Sequence, residues 1–387
     1  MRILFRRELN LVWWINVGMM FIYTVHGALL PLLMKNRGFG EGSIGFAVGM
    51  ISAGSVLGFL TTGRAIDRFD KRWFILAGGL IWVFTSAAAW FAVSIVSIAL
   101  LRLFQGFGYS ILYTSALVYA AQSLPKDWRG RVIGLIEAIG ALSIAITPLI
   151  AFGVANSFGY PAAFFLAGLV SLLIGMSAFL LPFHPPAHQD KAQAGALRLL
   201  QPGAVVPAII ASCLLLCATA FVSLAPLVAL KLVVPQIGLF LGLRALGTVP
   251  SRLFSGYIAD RWGPAVAILP GYVVSILAFG LLSLAEGQVL FALSLAFLFG
   301  FGMGLASPAL AVWLLSSTPL EEQGVALNTL YIFSEGSGFL GAWIFGLGLE
   351  KAGLAPSLYG LCFVIMTGLC LFAFMQFRTR PRTAKVS

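Results

Sequence analysis

"SIGFAVGMISAGSVLGFLTTGRAIDR", residues 43–68, is followed 193 residues later by "QIGLFLGLRALGTVPSRLFSGYIADR", residues 236–261. Laid over one another, Gly45, Gly49, Gly54, Gly63, Asp67 and Arg68 fall on Gly238, Gly242, Gly247, Gly256, Asp260 and Arg261. Further on the offset becomes 194, where Pro125 and Gly130 face Pro319 and Gly324. A chain of 387 residues that repeats at half its length is one unit used twice, in parallel orientation.

What that unit is follows from composition. The chain is 60% hydrophobic and 10% charged, with a mean hydropathy of +0.99. Such a chain has too few polar side chains to cover a water-facing surface, so a soluble globule is excluded. Windows of about twenty apolar residues, the length that crosses a bilayer core, occur twelve times. The second, third and eighth run roughly over 42–63, 73–94 and 235–258. Period-two alternation is absent, which excludes a membrane barrel. The expected fold is all-α and polytopic: twelve spans in two pseudo-symmetric six-helix bundles, residues 1–181 and 203–387. Between them the Pro-rich, polar stretch 182–202 reads as a linker.

The net charge of +11 matters less than where it sits. With the N-terminus inside, 17 of the 24 basic residues fall in cytoplasmic segments, four in outer loops (Lys35, Arg37, Lys231, Lys351) and three within spans. Both termini are therefore expected in the cytoplasm, in a multi-pass protein of the inner (plasma) membrane. The charge needs no nucleic acid to explain it. The first apolar run has no cleavage pattern behind it and reads as a retained helix. Cys213, Cys217, Cys362 and Cys370 lie inside spans and are expected as free thiols. No His/Cys cluster has metal-ligand spacing, and no Gly-rich loop with Lys-Ser/Thr is present, so neither a metal nor any other cofactor is expected.

With these residues in view, the chain resembles the major facilitator superfamily. That family carries, after its second helix, Gly, three residues, Asp, a basic residue, any residue, Gly and two basics. Gly63, Asp67, Arg68, Lys71 and Arg72 match it, with Asp70 in place of the second Gly, and Gly256, Asp260, Arg261 and Gly263 keep a shorter copy. A second signature of the family, in its fourth helix, stands intact as "RLFQGFG", Arg102 to Gly108. The resemblance implies that the Gly-Asp-Arg segments, read as loops, latch the two halves on the cytoplasmic side. The two glycines are expected to let helices approach closely. It also makes Arg102 a cavity arginine and places near Arg252 the carboxylate-binding arginine of monocarboxylate-type members. The fifth-helix glycine signature of drug antiporters is degraded here to Gly134, Ser143, Thr147 and Pro148, while compact length and short loops resemble drug and metabolite exporters.

An ionisable side chain deep in a bilayer is costly unless it faces protein or a watery cavity, so each is a candidate. Arg102, Gln105, Tyr109 and Tyr113 recur at spacings of three and four along one helix face. Arg244, Thr248 and Arg252 do the same on span 8 and Asn328, Tyr331 and Glu335 on span 11, while span 1 offers Asn16 and Tyr23, seven apart. These polar stripes are expected to line a central cavity for a small-molecule substrate. The depth of Arg244 roughly matches that of Glu335, which allows a salt bridge or a proton-switched pair between them. For proton coupling the candidates are Glu335 first, then Glu137, which could instead serve a gate or interface, and His26, whose alternative is a packing role. Spans 3, 6, 9 and 12 carry no charge.

The function that follows is secondary active transport of a small organic molecule by alternating access. It is expected to be proton-coupled and directed to efflux, in a monomer embedded in lipid. Proton-coupled uptake of an organic anion is the alternative. A transporter-like sensor or a polytopic enzyme belongs to another class, and the second would need a catalytic set for which only a lone Ser or Glu offers itself.

Overall fold

The computed structural model describes residues 7–123, 126–183, 200–316, 318–319 and 322–379. Most of the expected linker, residues 184–199, and the extreme termini lie outside the described residues, as do the side chains of Gly63, Asp67, Gly134, Glu137, Asp260 and Asn328. Among the described residues there are twelve helices long and apolar enough to cross a membrane, and no strand. They are α1 (Arg7–Asn36), α2 (Glu41–Arg68), α3 (Lys71–Ala89), α4 (Ile95–Gln122), α5 (Lys126–Phe158), α6 (Tyr160–Ser177), α7 (Pro202–Lys231), α8 (Ile237–Trp262), α9 (Ala265–Leu282), α10 (Val289–Ser316), α11 (Gln323–Lys351) and α12 (Leu354–Thr379).

The helix ends correct two expectations. The Gly-Asp-Arg segments are helical, not loops. α2 continues to Arg68 and stops where Phe69 turns extended, and α8 continues to Trp262 and stops at Gly263, whose φ of +87° only glycine adopts without strain. Asp70 then opens α3, its carboxylate accepting the Arg72 backbone N–H at 3.1 Å. α3 in turn ends at Ala89 rather than near 94, because Ser94 is taken as the N-cap of α4 in a reciprocal pair with Ser97.

The sequence repeat is a packing repeat. α2 packs on α4 as α8 packs on α10, and α2 meets α11 as α8 meets α5. A Cβ at Gly54 would overlap the Leu103 carbonyl of α4, and one at its counterpart Gly247 would overlap the Phe297 carbonyl of α10. Likewise Gly45 lies against Ala342 of α11, and at Gly242 a Cβ would stand 2.7 Å from the Ala145 oxygen of α5. Without a hydrophobic drive between helices in lipid, such backbone contact is what holds them. Gly256 departs from the expected rule: a Cβ there would meet nothing within 4 Å. In this conformation the Gly256 position faces open space, while its neighbour Ser255 holds α8 on α10 by donating to the Leu305 carbonyl at 2.6 Å.

Counting helices from Arg7, α1, α5, α7 and α11 end, and α2 and α8 begin, on the face opposite the chain termini. On that face the two halves touch: the start of α2 lies on the end of α11, the start of α8 on the end of α5, and α1 meets α7. Toward the termini face the contact thins to Ser52 against Gly338 and then to Phe59 stacked at 6.5 Å on Tyr331, which is itself 52% exposed. Among the described residues the halves are closed on one face and part on the other.

Candidate functional site

Beneath the closure lies a cavity of about 220 Å3 between the halves. Tyr23 of α1 and Ser52 of α2 line it from one half. Arg244, Thr248 and Arg252 of α8, Ser307 of α10 and Glu335 of α11 line it from the other, with Thr219 and Ser223 of α7. The α8 triplet faces inward because neighbouring positions are spent on packing, Gly242 toward α5 and Gly247 and Ser251 toward α10. A spacing of four then repeats one face of the helix. Leu215, Ala218, Val222 and Met303 supply the apolar wall. A larger groove of about 590 Å3 sits on the closed face among Asn36, Asn156, Tyr160 and Gln236, with no charged side chain in its lining.

Within the cavity, Arg244 and Glu335 share the walls, but no ion pair within 4 Å joins them among the described residues. Glu335 lines the same cavity as Ser52, which belongs to the other half. The Nε of Arg244 is buried without a hydrogen-bond partner. Thr248 and Thr219 donate their hydroxyl protons to backbone carbonyls one turn back, at 2.6 Å to Ala245 and 2.8 Å to Leu215. Arg252 is exposed at the open side of the cavity.

The remaining expected residues fall elsewhere. Arg102 and Gln105 are buried behind the wall rather than in it: the guanidinium donates to Gln105 Oε1 at 3.0 Å and toward the Val48 carbonyl at 3.4 Å. Tyr109 stacks on Tyr113 with centroids 5.6 Å apart and reaches Tyr23 at 5.3 Å, so this stripe backs the one ring that enters the cavity. Asn16 is buried at the contact of α1 with Gly140 of α5. His26 is sealed between the rings of Trp82 and Phe164, at 5.4 and 5.1 Å, its Nδ1 bonded to the Ile22 carbonyl one turn earlier. Tyr331 stands at the open side. On the termini face Arg72 binds Asp70 at 2.7 Å and the carbonyl of Leu181, Arg68 is exposed, and Arg261 donates to Tyr257 of its own helix at 2.7 Å. Among the described residues no ion pair joins the halves on this face.

The closed face holds what residue spacing did not reveal. Glu41, buried at the start of α2, receives Lys35 from the end of α1 and Lys231 from the end of α7, each at 3.1 Å. Lys231 comes from the other half. So does Glu350 at the end of α11, which accepts the Gly42 backbone N–H at 2.7 Å. The N-cap of α2 is Gly40, which has no side chain to cap with, and a carboxylate from across the seam takes that place. The only signal available was that both acidic residues sit at helix ends on the outer-loop level, beside the lysines. Ser52, Thr219, Ser223 and Ser307 were missed as well, being short hydroxyl side chains inside apolar spans.

A family model described as Major Facilitator Superfamily matches residues 12–342 and 208–387. The chain is 26% identical to the niacin transporter NiaP of Acinetobacter baylyi over 168 residues, 43% of this chain but only 38% of that transporter's length. It is 22% identical to the multidrug resistance protein MdtL of Klebsiella pneumoniae over 92% of this chain and 91% of that one. Among solved structures, a bacterial homolog of the human lysosomal transporter Spinster, in an inward-facing and occupied conformation, superposes with a TM-score of 0.80 at 15% identity, covering 96% of each chain.

Proposed function

We propose, from the premise that this chain belongs to the major facilitator superfamily, that it moves a small organic molecule out of the cell by proton-coupled alternating access. The family and the twelve spans make it a multi-pass membrane transporter rather than an enzyme. The observation that carries the finer reading is the charged cavity itself. It lies between two repeated halves that are closed on one face and parted on the other. Rocking the halves about that cavity would expose it to each side in turn.

The excess of basic residues on the termini side supports placing that face in the cytoplasm, and on that orientation the present conformation is open inward. Glu335 supports proton coupling because it is the carboxyl in the cavity wall, at the seam where the halves must separate. A driving ion acts by binding the two conformations unequally, and a carboxyl so placed meets a different surround in each. Export is supported by the match, at 23% identity over 82% of each chain, to a multi-drug resistance efflux pump PmrA homolog of Lactococcus lactis. The Gly-Asp-Arg segments then act as the latch of the outward-open conformation, in which the termini face is closed. Uptake of an organic anion is the second reading, favoured by the arginines of the cavity and by the partial match to NiaP.

Flux in proteoliposomes, with and without an imposed pH gradient, tests the proposal. Substrate accumulated against its gradient only when protons run the other way supports export by antiport. Accumulation with protons running the same way supports uptake. A protein that binds ligand without sustained flux in either direction is a sensor, and the transport reading fails.

A further inference from the structure

The cavity contains two arginines and one carboxyl, and the deeper arginine is unmatched. Arg244 has no carboxylate within ion-pairing distance, and its Nε is buried with no acceptor. A guanidinium has five N–H donors in a fixed fork and no acceptor. Buried donors of this kind are costly unless an acceptor meets them. The neighbouring protein groups do not supply one: among the described residues no carboxylate pairs with Arg244, although Glu335 lines the same cavity. Ser223 and Ser307 form no hydrogen bond among the described residues and remain as further donors on the same walls. Around this polar end stand the Tyr23 ring and the side chains of Leu215, Val222 and Met303.

We infer that the cavity is an anion site, with Arg244 as its head-group donor, built for a small organic acid with an apolar or aromatic body. A fork of N–H groups matches the two oxygens of a carboxylate in one plane. A volume of about 220 Å3 is the share of about seven water molecules, below that of cavities holding drug-sized ligands. The acid is therefore small. With Glu335 ionised the three charged groups sum to one positive charge, so a cationic ligand is disfavoured. The inference names the cargo of the cavity proposed above and rests on that reading for its meaning in transport; the site itself does not depend on the direction of movement.

The probes are benzoate, its neutral isostere benzamide, the cation benzylammonium and phenylphosphonate, titrated by calorimetry into the full-length protein in detergent. The wild-type protein should bind benzoate at least about tenfold more tightly than benzamide and leave benzylammonium unbound. Arg244→Gln should reduce the benzoate preference to within about twofold, while Arg244→Lys, which keeps the charge but not the fork, should retain part of it. Binding of phenylphosphonate in place of benzoate, lost in Arg244→Gln, keeps the anion site and changes the head group. The inference is overturned by benzamide or benzylammonium binding as well as benzoate. It is also overturned by Arg244→Gln keeping the preference, or by no probe binding at up to about 10 mM to a monodisperse protein. Counterflow in proteoliposomes separates the two levels. Benzoate-selective binding without flux removes transport and leaves the site. Flux of neutral or cationic probes without benzoate binding does the reverse.

Discussion

Replacing Lys231 by Gln removes one cross-seam contact and little else, which makes it the cleanest probe of how the closed face is held. Its ammonium lies 3.1 Å from Glu41, with 31% of the Lys231 side chain and 9% of the Glu41 side chain exposed. Exposed ion pairs contribute about 0.2–1 kcal/mol, and breaking a fully buried one costs about 3–5 kcal/mol. Here Glu41 keeps Lys35 at 3.1 Å after the substitution, so no buried charge is left alone. The loss is then about 1 kcal/mol, near the upper end of the exposed range. It falls only on the conformation in which the halves touch on this face, so it shifts the balance between conformations by about fivefold. Glu350→Gln should act in the same direction, since the bond to Gly42 N–H would lose its charge while keeping an acceptor. The two sites adjoin along one seam, so their effects should not simply add. Spin labels at Phe91, in the turn before α4, and Lys351, at the end of α11, report the separation of the halves on this face by double electron–electron resonance. The four native cysteines are replaced in this background. The population at long distance should rise about fivefold in Lys231→Gln, whereas Lys35→Gln, which breaks a contact within one half, should leave it within about twofold of the parent. An unchanged distribution in Lys231→Gln, or an equal rise in Lys35→Gln, would refute the assignment of this cluster to the seam.

Four further substitutions test other parts of the argument. Glu335→Gln should abolish uphill transport driven by a pH gradient while leaving substrate exchange largely intact; undiminished accumulation in the variant would remove Glu335 from coupling. Gly54→Ala and Gly256→Ala form a contrasting pair in apparent melting temperature. The first forces a methyl into the Leu103 carbonyl and should lower it by at least about 2 °C, while the second meets open space and should stay within about 1 °C. Equal effects would mean that the close contact of α2 with α4 does not support the fold. His26→Phe keeps an aromatic ring between Trp82 and Phe164 and removes the imidazole. Proton-driven flux should be retained, and its loss would make His26 a proton carrier after all.

The parts legible in the sequence are those governed by a repeat or by a helix period. The paired glycines announced the architecture because the same backbone contact occurs once in each half, at Leu103 and at Phe297. The stripe Arg244, Thr248 and Arg252 announced one wall of the cavity because a spacing of four permits only one face. Spacing was misleading for Arg102 and Gln105, which share the same signature yet turn to each other at 3.0 Å; periodicity cannot separate a wall from a self-satisfied pair. It was silent on Glu41, Lys231 and Glu350, since they meet only when ends of α2, α7 and α11 are brought together, across 190 and 308 residues of chain. The deeper reason is that a chain which cycles between two conformations encodes the contacts of both. Arg261 bonds within its own helix here, while Lys231 and Glu350 cross the seam. On the proposed cycle, contacts that close one face and contacts that close the other are carried by one sequence, and each set forms as the other parts. On the same proposal the Gly-Asp-Arg segments form their contacts across the halves in the conformation that closes the termini face.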